Sequence, residues 1–146
     1  MITKPNEKAK RPKLSPSLED YLEAIYWLAR EHGVARVSHI AERIKVNKSS
    51  VTGALKLLAA KGYIEYDPYQ FIQLSPSGEQ LARDIVRRHA VLKRFFVEIL
   101  GVDEALAGET ACKMEHNLDP RILKKLLEFV ESSTSTSPPI TESDVT

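Results

Sequence analysis

A single cysteine, Cys112, stands in 146 residues, so no intrachain disulfide can form, and a reducing compartment is the expected setting. No stretch approaches the eighteen or so consecutive apolar residues of a membrane span. The polar, lysine-rich N-terminus is followed by no apolar segment, so a signal peptide is not expected either. Net charge is almost absent, at +1, yet it divides unevenly along the chain. Residues 1–75 carry twelve Lys and Arg against eight Asp and Glu, a local +4, whereas residues 76–146 carry nine against twelve, a local −3. That asymmetry allows a polyanionic partner for the first half without demanding one. What is present in quantity is hydrophobic residues, 42%, enough for a buried core and two small domains.

Residues 1–15 hold Lys4, Lys8, Lys10, Arg11 and Lys13 with two prolines, and read as a flexible basic arm. Ser17 is positioned to cap a helix with Leu18, Tyr21, Leu22, Ile25, Tyr26, Leu28 and Ala29 on its apolar face, ending near Gly33. A second helix over 37–43 turns Ile40 and Ile44 inward. Asn47 caps a third over 48–61, with Val51, Leu55, Leu58 and Ala59 buried and Gly62 as its stop. The period then changes to two: 63–66 and 71–74 are short strands around an Asp67-Pro68 turn. Ser75 and Pro76 open a long helix over 76–100, broken by Gly101, with apolar positions on two sides and hence two packing partners. Helices over 102–117 and 119–131 follow, the last capped by Asp119 with Pro120 at its first position. The fold class is therefore mainly α with a small β-hairpin wing: a winged helix-turn-helix over 16–75, an all-helical dimerisation domain over 76–131, and a Ser/Thr/Pro-rich flexible tail over 132–146. The broad apolar surface of Leu118, Ile122, Leu123, Leu126, Leu127, Phe129 and Val130 is suited to a homodimer, whose two-fold symmetry matches a palindromic operator.

In a winged helix the helix from Lys48 presents its N-terminal end to the major groove of double-stranded DNA. Lys48, Ser49, Ser50, Thr52 and Lys56 lie away from the Val51/Leu55/Leu58 stripe as donors and cations for base edges or phosphates. Arg36, ahead of the second helix, joins them, as do Tyr69 and Gln70 of the hairpin tip. Phe71 either packs or approaches the DNA backbone. The plainer reading of this set is solvated surface.

Cys112-Lys113-Met114-Glu115-His116 places thiolate, carboxylate and imidazole within five residues, on one face if the segment is helical. Such donors suit a divalent transition ion rather than calcium or magnesium. His89 and the pair Asp20/Glu23, three apart on the first helix, are further candidates. Taken singly, each has an ordinary explanation: a surface histidine, dipole-favoured carboxylates, a buried thiol.

At these residues the sequence resembles the iron- and manganese-dependent repressors typified by the diphtheria toxin repressor and the manganese transport regulator. The resemblance runs from Ser17 to about Val130, through Leu18-Glu19-Asp20-Tyr21-Leu22-Glu23, Ala35-Arg36-Val37-Ser38-His39-Ile40-Ala41-Glu42, Lys48-Ser49-Ser50-Val51-Thr52, Leu74-Ser75-Pro76-Ser77-Gly78, Arg88-His89 and Cys112 to His116. It implies a homodimeric, cytoplasmic repressor, not an enzyme, that binds operator DNA with Fe²⁺ or Mn²⁺ as corepressor, Co²⁺, Ni²⁺ or Zn²⁺ being acceptable in vitro. No membrane and no small organic substrate are implied as partners. The ligand set it implies is Asp20, Glu23, His89, Cys112, Glu115 and His116. Asp20 and Glu23 match the manganese branch, Cys112 the iron branch, and the remaining three both. Two positions depart from the iron branch: Lys93 stands where it has a glutamate and Gly108 where it has a histidine, so its ancillary site is not expected, nor is a small SH3-like third domain. The alternatives are a metal-independent winged-helix regulator and, in a different class, a metal-dependent hydrolase.

Overall fold

The structure, a computed structural model, describes residues 14–67 and 71–133. Helix α1 spans Pro16–His32 and is closed by Gly33 in the left-handed region at φ 78°. Its cap is Ser15, not Ser17: with Pro16 at the first helical position, the Ser15 hydroxyl is the one that meets an orphan amide, accepting from Leu18 N–H at 3.2 Å. Leu14, assigned to the arm from sequence, is buried in the core, so both residues belong to the folded part. The rest of the arm, residues 1–13, lies outside the described residues.

Helices α2 (Val37–Ile44) and α3 (Lys48–Ala60) are joined by a three-residue turn in which Lys45 adopts φ 62°. Asn47 Oδ1 caps α3 by accepting from Ser50 N–H at 2.8 Å. Ile40, Val51, Leu55 and Leu58 close on Leu22, Ile25 and Tyr26 of α1 in one core. Strands β1 (Ile64–Tyr66) and β2 (Ile72–Leu74) pair antiparallel, with Ile64 opposite Leu74 and Tyr66 opposite Ile72. Each begins one residue later than the sequence pattern suggests. Ile72 N–H also donates to Ala35 O at 3.2 Å, which holds the hairpin against the α1–α2 loop. Ile72 is buried and Phe71 exposed, as period-two alternation requires. Tyr69 and Gln70 lie outside the described residues.

Helix α4 (Pro76–Arg94) is capped as expected by Ser75, whose Oγ accepts from Gly78 N–H at 3.1 Å. The joint with the hairpin is dense. Ser75 N–H donates to Tyr63 O at 3.0 Å, and the Ser75 and Ser77 hydroxyls donate to Gly62 O at 2.6 and 3.1 Å. A Cβ at Gly78 would fall on the Tyr63 carbonyl, backbone against backbone with no side chain to give way. Gly78→Ala is therefore expected to destabilise the protein by about 2–3 kcal/mol through overpacking. The urea midpoint measures it, and an unchanged midpoint would show that the hairpin base yields.

The helix expected over 76–100 is not uniform. It continues into a π-helical turn, Phe95–Ile99, that ends before Gly101, and the widened turn sets Phe95 edge-on to Phe129 with ring centroids 6.3 Å apart. Helix α5 (Glu104–Met114) starts two residues later than expected, because Asp103 Oδ2 caps it by accepting from Ala105 and Leu106. It also ends sooner, giving way to a 3₁₀ turn, Glu115–Asn117. Asp119 Oδ1 accepts from Arg121 N–H at 2.8 Å and opens α6 (Pro120–Ser133). Ser132 and Ser133 are thus helical rather than tail, and residues 134–146 lie outside the described residues. Helix α4 packs on α1 at one side and on α5 and α6 at the other. Among the described residues no helix is long and apolar enough to cross a membrane.

Candidate metal centre and nucleic-acid interface

The six candidate ligands come from four elements: Asp20 and Glu23 from α1, His89 from α4, Cys112 from the last turn of α5, and Glu115 and His116 from the 3₁₀ turn. Helix α5 stops at Met114, and Glu115 and His116 follow directly in the 3₁₀ turn, where the expected single helix would have carried on. Glu115 belongs to two groups, His89/Cys112/Glu115 and Asp20/Glu115/His116, each with donor atoms within 4.8 Å of one another. Its Oε2 lies 2.8 Å from His89 Nδ1, and its Oε1 lies 3.5 Å from His116 Nε2. Cys112 Sγ is 3.5 Å from His89 Nδ1, and Asp20 Oδ1 is 2.7 Å from His116 Nε2. Glu23 lines, with Asp20, His89 and Cys112, a cleft of about 320 Å³ walled by Trp27 and Arg43.

The donors are buried to different depths. His89, Glu115 and His116 are buried, while the Asp20 side chain is 52% exposed and Cys112 is open to solvent. The buried small-hydrophobe reading of Cys112 is thereby overturned. Burial, then the Glu115 charge and the hydrogen bond to Glu115, push the Glu23 carboxyl up to about 8. Burial likewise pushes Glu115 up to about 8, with Asp20 and Glu19 adding to the rise, while the hydrogen bond from Glu23 and the Arg88 charge oppose it. Two carboxyls held this high share protons at neutral pH, and a divalent cation is the natural replacement for those protons. Sulfur, imidazole and carboxylate donors together fit a first-row transition ion. One helical turn further along α4 and before Cys112 on α5, the stem of Lys93 lies against Gly108, its Cε 3.9 Å from where a Cβ would stand.

Sequence reasoning missed Glu19 and Arg88. Glu19 is 2% exposed, and its Oε2 accepts from Arg88 NH1 at 3.1 Å; Arg88 NH1 also reaches Glu115 O at 3.3 Å. The signal was available. Glu19 stands three residues before Leu22 and seven before Tyr26, and Arg88 stands between Ile85 and Leu92, so both charges interrupt apolar stripes and call for buried partners.

Lys48, Ser49, Ser50 and Lys56 are exposed along α3, with Thr52 half-buried. The Ser49 hydroxyl donates to Asn47 Oδ1 at 2.8 Å and the Thr52 hydroxyl to Lys48 O at 2.9 Å, each keeping lone pairs for a partner. Arg36 places its guanidinium 5.3 Å from the Phe71 ring centroid, tying the start of α2 to the wing.

A three-helix unit with a hairpin wing, joined to a helical unit by a shared cluster of nitrogen, oxygen and sulfur donors, defines a metal-responsive DNA-binding regulator. Two family models match: the iron dependent repressor N-terminal DNA binding domain over residues 13–72, and the iron dependent repressor metal binding and dimerisation domain over 75–138. The chain belongs to this family of metal-dependent transcriptional repressors, which are DNA-binding regulators and not enzymes. An HTH-type transcriptional regulator of Methanocaldococcus jannaschii is 40% identical over 81% of this chain and 95% of its own length. The HTH-type transcriptional regulator MntR of Lysinibacillus sphaericus is 38% identical over 80% of this chain and 84% of its own. Among solved structures, a manganese-dependent transcriptional repressor in complex with manganese superposes with TM-score 0.70 at 29% identity, covering 77% of this chain and 52% of that one. The chain thus spans about half the length of that solved protein.

Proposed function

We propose that this chain represses transcription by binding a palindromic operator as a homodimer when Asp20, Glu23, His89, Cys112, Glu115 and His116 hold Fe²⁺ or Mn²⁺. One observation carries the reading: carboxylates of α1, in the DNA-binding half, meet donors of α4, α5 and the 3₁₀ turn across the seam between the halves. A bound ion supplies positive charge that offsets the carboxylate repulsion and a cross-link between the two halves. The residues do the rest. Asp20 and Glu23 convey the constraint to α1, against which α2 and α3 pack, and so set the angle between the two recognition helices of a dimer. The shift in population equals the difference in ion affinity between the DNA-competent and other arrangements. Arg36, Lys48, Ser49, Ser50, Thr52 and Lys56, with Tyr69 and Gln70 of the wing, meet the DNA, and the basic arm adds salt-dependent affinity. A second copy covers exposed Leu100, Leu106, Ile122 and Phe129. The iron-branch ancillary site is not part of the proposal, since Lys93 and Gly108 offer it no ligands. A reducing cytoplasm keeps Cys112 as a thiol.

Operator affinity measured by fluorescence anisotropy, with Mn²⁺, Fe²⁺, Co²⁺ or Zn²⁺ and with chelator alone, tests the function. Tight binding that needs the ion is expected. Equal binding in chelator would establish the metal-independent regulator instead. Cys112→Glu is expected to lower the Fe²⁺ and Zn²⁺ responses relative to Mn²⁺, because a hard oxygen replaces the thiolate. An unchanged ion ranking would remove Cys112 from selectivity.

A further inference from the structure

Glu19 Oε1 and His116 Nδ1 are buried, 3.5 Å apart, and neither has a hydrogen-bond partner in the structure. Two polar atoms left facing each other in a desolvated place carry a cost that one hydrogen bond removes. The other edge of the same ring explains why the bond is unmade. His116 Nε2 sits 2.7 Å from Asp20 Oδ1, so the polar contact of this ring is made at that edge. A carboxylate oxygen can only accept, so the contact with Glu19 becomes a hydrogen bond only when Nδ1 bears the proton.

Resting on the reading of the site given above, we propose that Glu19 is the positioning residue of the metal centre: it accepts Nδ1–H of His116 and fixes the tautomer that leaves Nε2 free to coordinate. A ring that coordinates through Nε2 has its other nitrogen, Nδ1, 3.5 Å from Glu19 Oε1, and an N–H there would satisfy both orphaned atoms at once. Arg88 holds Glu19 from the other side through Oε2, and the same guanidinium reaches the carbonyl of Glu115, so the carboxylate cannot turn away. Glu19 neighbours Asp20 on α1, and Arg88 neighbours His89 on α4. The bond that forms at His116 therefore pulls on the backbone of both halves beside ligands that each half supplies. A histidine ligand whose second nitrogen donates to a carboxylate is oriented and made more basic, and loss of such a partner lowers metal affinity about 10- to 100-fold.

Two measurements on the full chain test this. The first is the histidine ¹⁵N spectrum of the Zn²⁺-loaded wild type, in which His116 is expected to show a protonated, exchange-protected Nδ1 and a coordinated Nε2. The second is calorimetry with Zn²⁺ and Mn²⁺ on Glu19→Gln, expected to bind about 10- to 100-fold more weakly than wild type, with loss of the protected Nδ1–H signal and an apo melting temperature within a few degrees. An amide cannot serve both sides, since the oxygen it turns to Arg88 leaves an N–H₂ facing His116. Coordination of His116 through Nδ1, or equal affinity in wild type and Glu19→Gln, would overturn the role of Glu19 while leaving the metal centre standing. Should Glu19→Gln fail to fold, the wild-type tautomer decides alone. A wild type that binds neither ion would bring down the reading of the site and this proposal together.

Discussion

Glu115→Ala is expected to abolish the response to metal without harming the metal-free protein. Glu115 is the one residue common to both donor groups, presenting an oxygen to each histidine, so its removal dismantles both at once. Taking the loss as about 100-fold in affinity, an ion concentration at 100 times the wild-type dissociation constant stabilises the wild type by about 2.7 kcal/mol and the variant by roughly 0.4 kcal/mol. For a domain of this size that separates the loaded melting temperatures by roughly 5–10 °C. The apo proteins are expected to behave in the opposite sense. A carboxyl pushed up to about 8 by burial is held in surroundings hostile to its charge, so its deletion relieves Glu23, and apo Glu115→Ala melts no lower than apo wild type despite the small cavity. Thermal melts with and without Mn²⁺, run beside operator titrations, read both signs. Retention of the full metal-induced rise in melting temperature would exclude Glu115 as a ligand.

Acidity is expected to act on the apo and loaded protein in opposite directions. Glu23 and Glu115 titrate near 4.5 when unfolded and about 8 when folded, so the folded apo protein binds protons more tightly than the unfolded chain. Linkage then gives stability that is fully present below pH 4.5 and lost as the pH rises through about 8. The apo melting temperature falls between pH 5 and pH 9, the reverse of a protein stabilised by salt-bridged carboxylates. Ion binding displaces the same protons, so affinity climbs across this interval by about tenfold per pH unit for each proton released, and levels off above about 8. Calorimetry in buffers of different ionisation enthalpy counts those protons. Release of no protons at pH 7 would refute the carboxyl pair as their reservoir.

Most of the DNA-binding half was legible because its signals are local. Asn47 and Ser75 each precede a helix as a side-chain cap, Gly33 and Gly62 follow one with positive φ, and the change of period at Tyr63 marks the wing. Two of the errors are also local, each one cap choosing over another. Ser15 outcompetes Ser17 because Pro16 lies between them, and Asp103 delays the start of α5 past Val102. The candidate ligands were legible as residue types but not as geometry. Spacing alone gathers Cys112, Glu115 and His116, but it does not show that Glu115 meets both histidines, one from α4 and one beside it in the 3₁₀ turn. Glu19 and Arg88 stayed hidden because a charge next to a recognised ligand is easily read as solvated, although their places on apolar stripes argue otherwise. The ring pairing of Phe95 with Phe129 depends on a π turn for which the sequence carries no local signal.

The dense joint at the root of the hairpin has a mechanical meaning. With Gly62, Tyr63, Ser75, Ser77 and Gly78 bonded and packed into one piece, the wing cannot pivot on the first turn of α4. His89 lies thirteen residues further along that helix, roughly 20 Å away. The helix is then a lever arm with the wing welded to its short end. For a wing that meets DNA as proposed, a tilt of about five degrees set where His89 sits would sweep it through roughly 1.7 Å over that length.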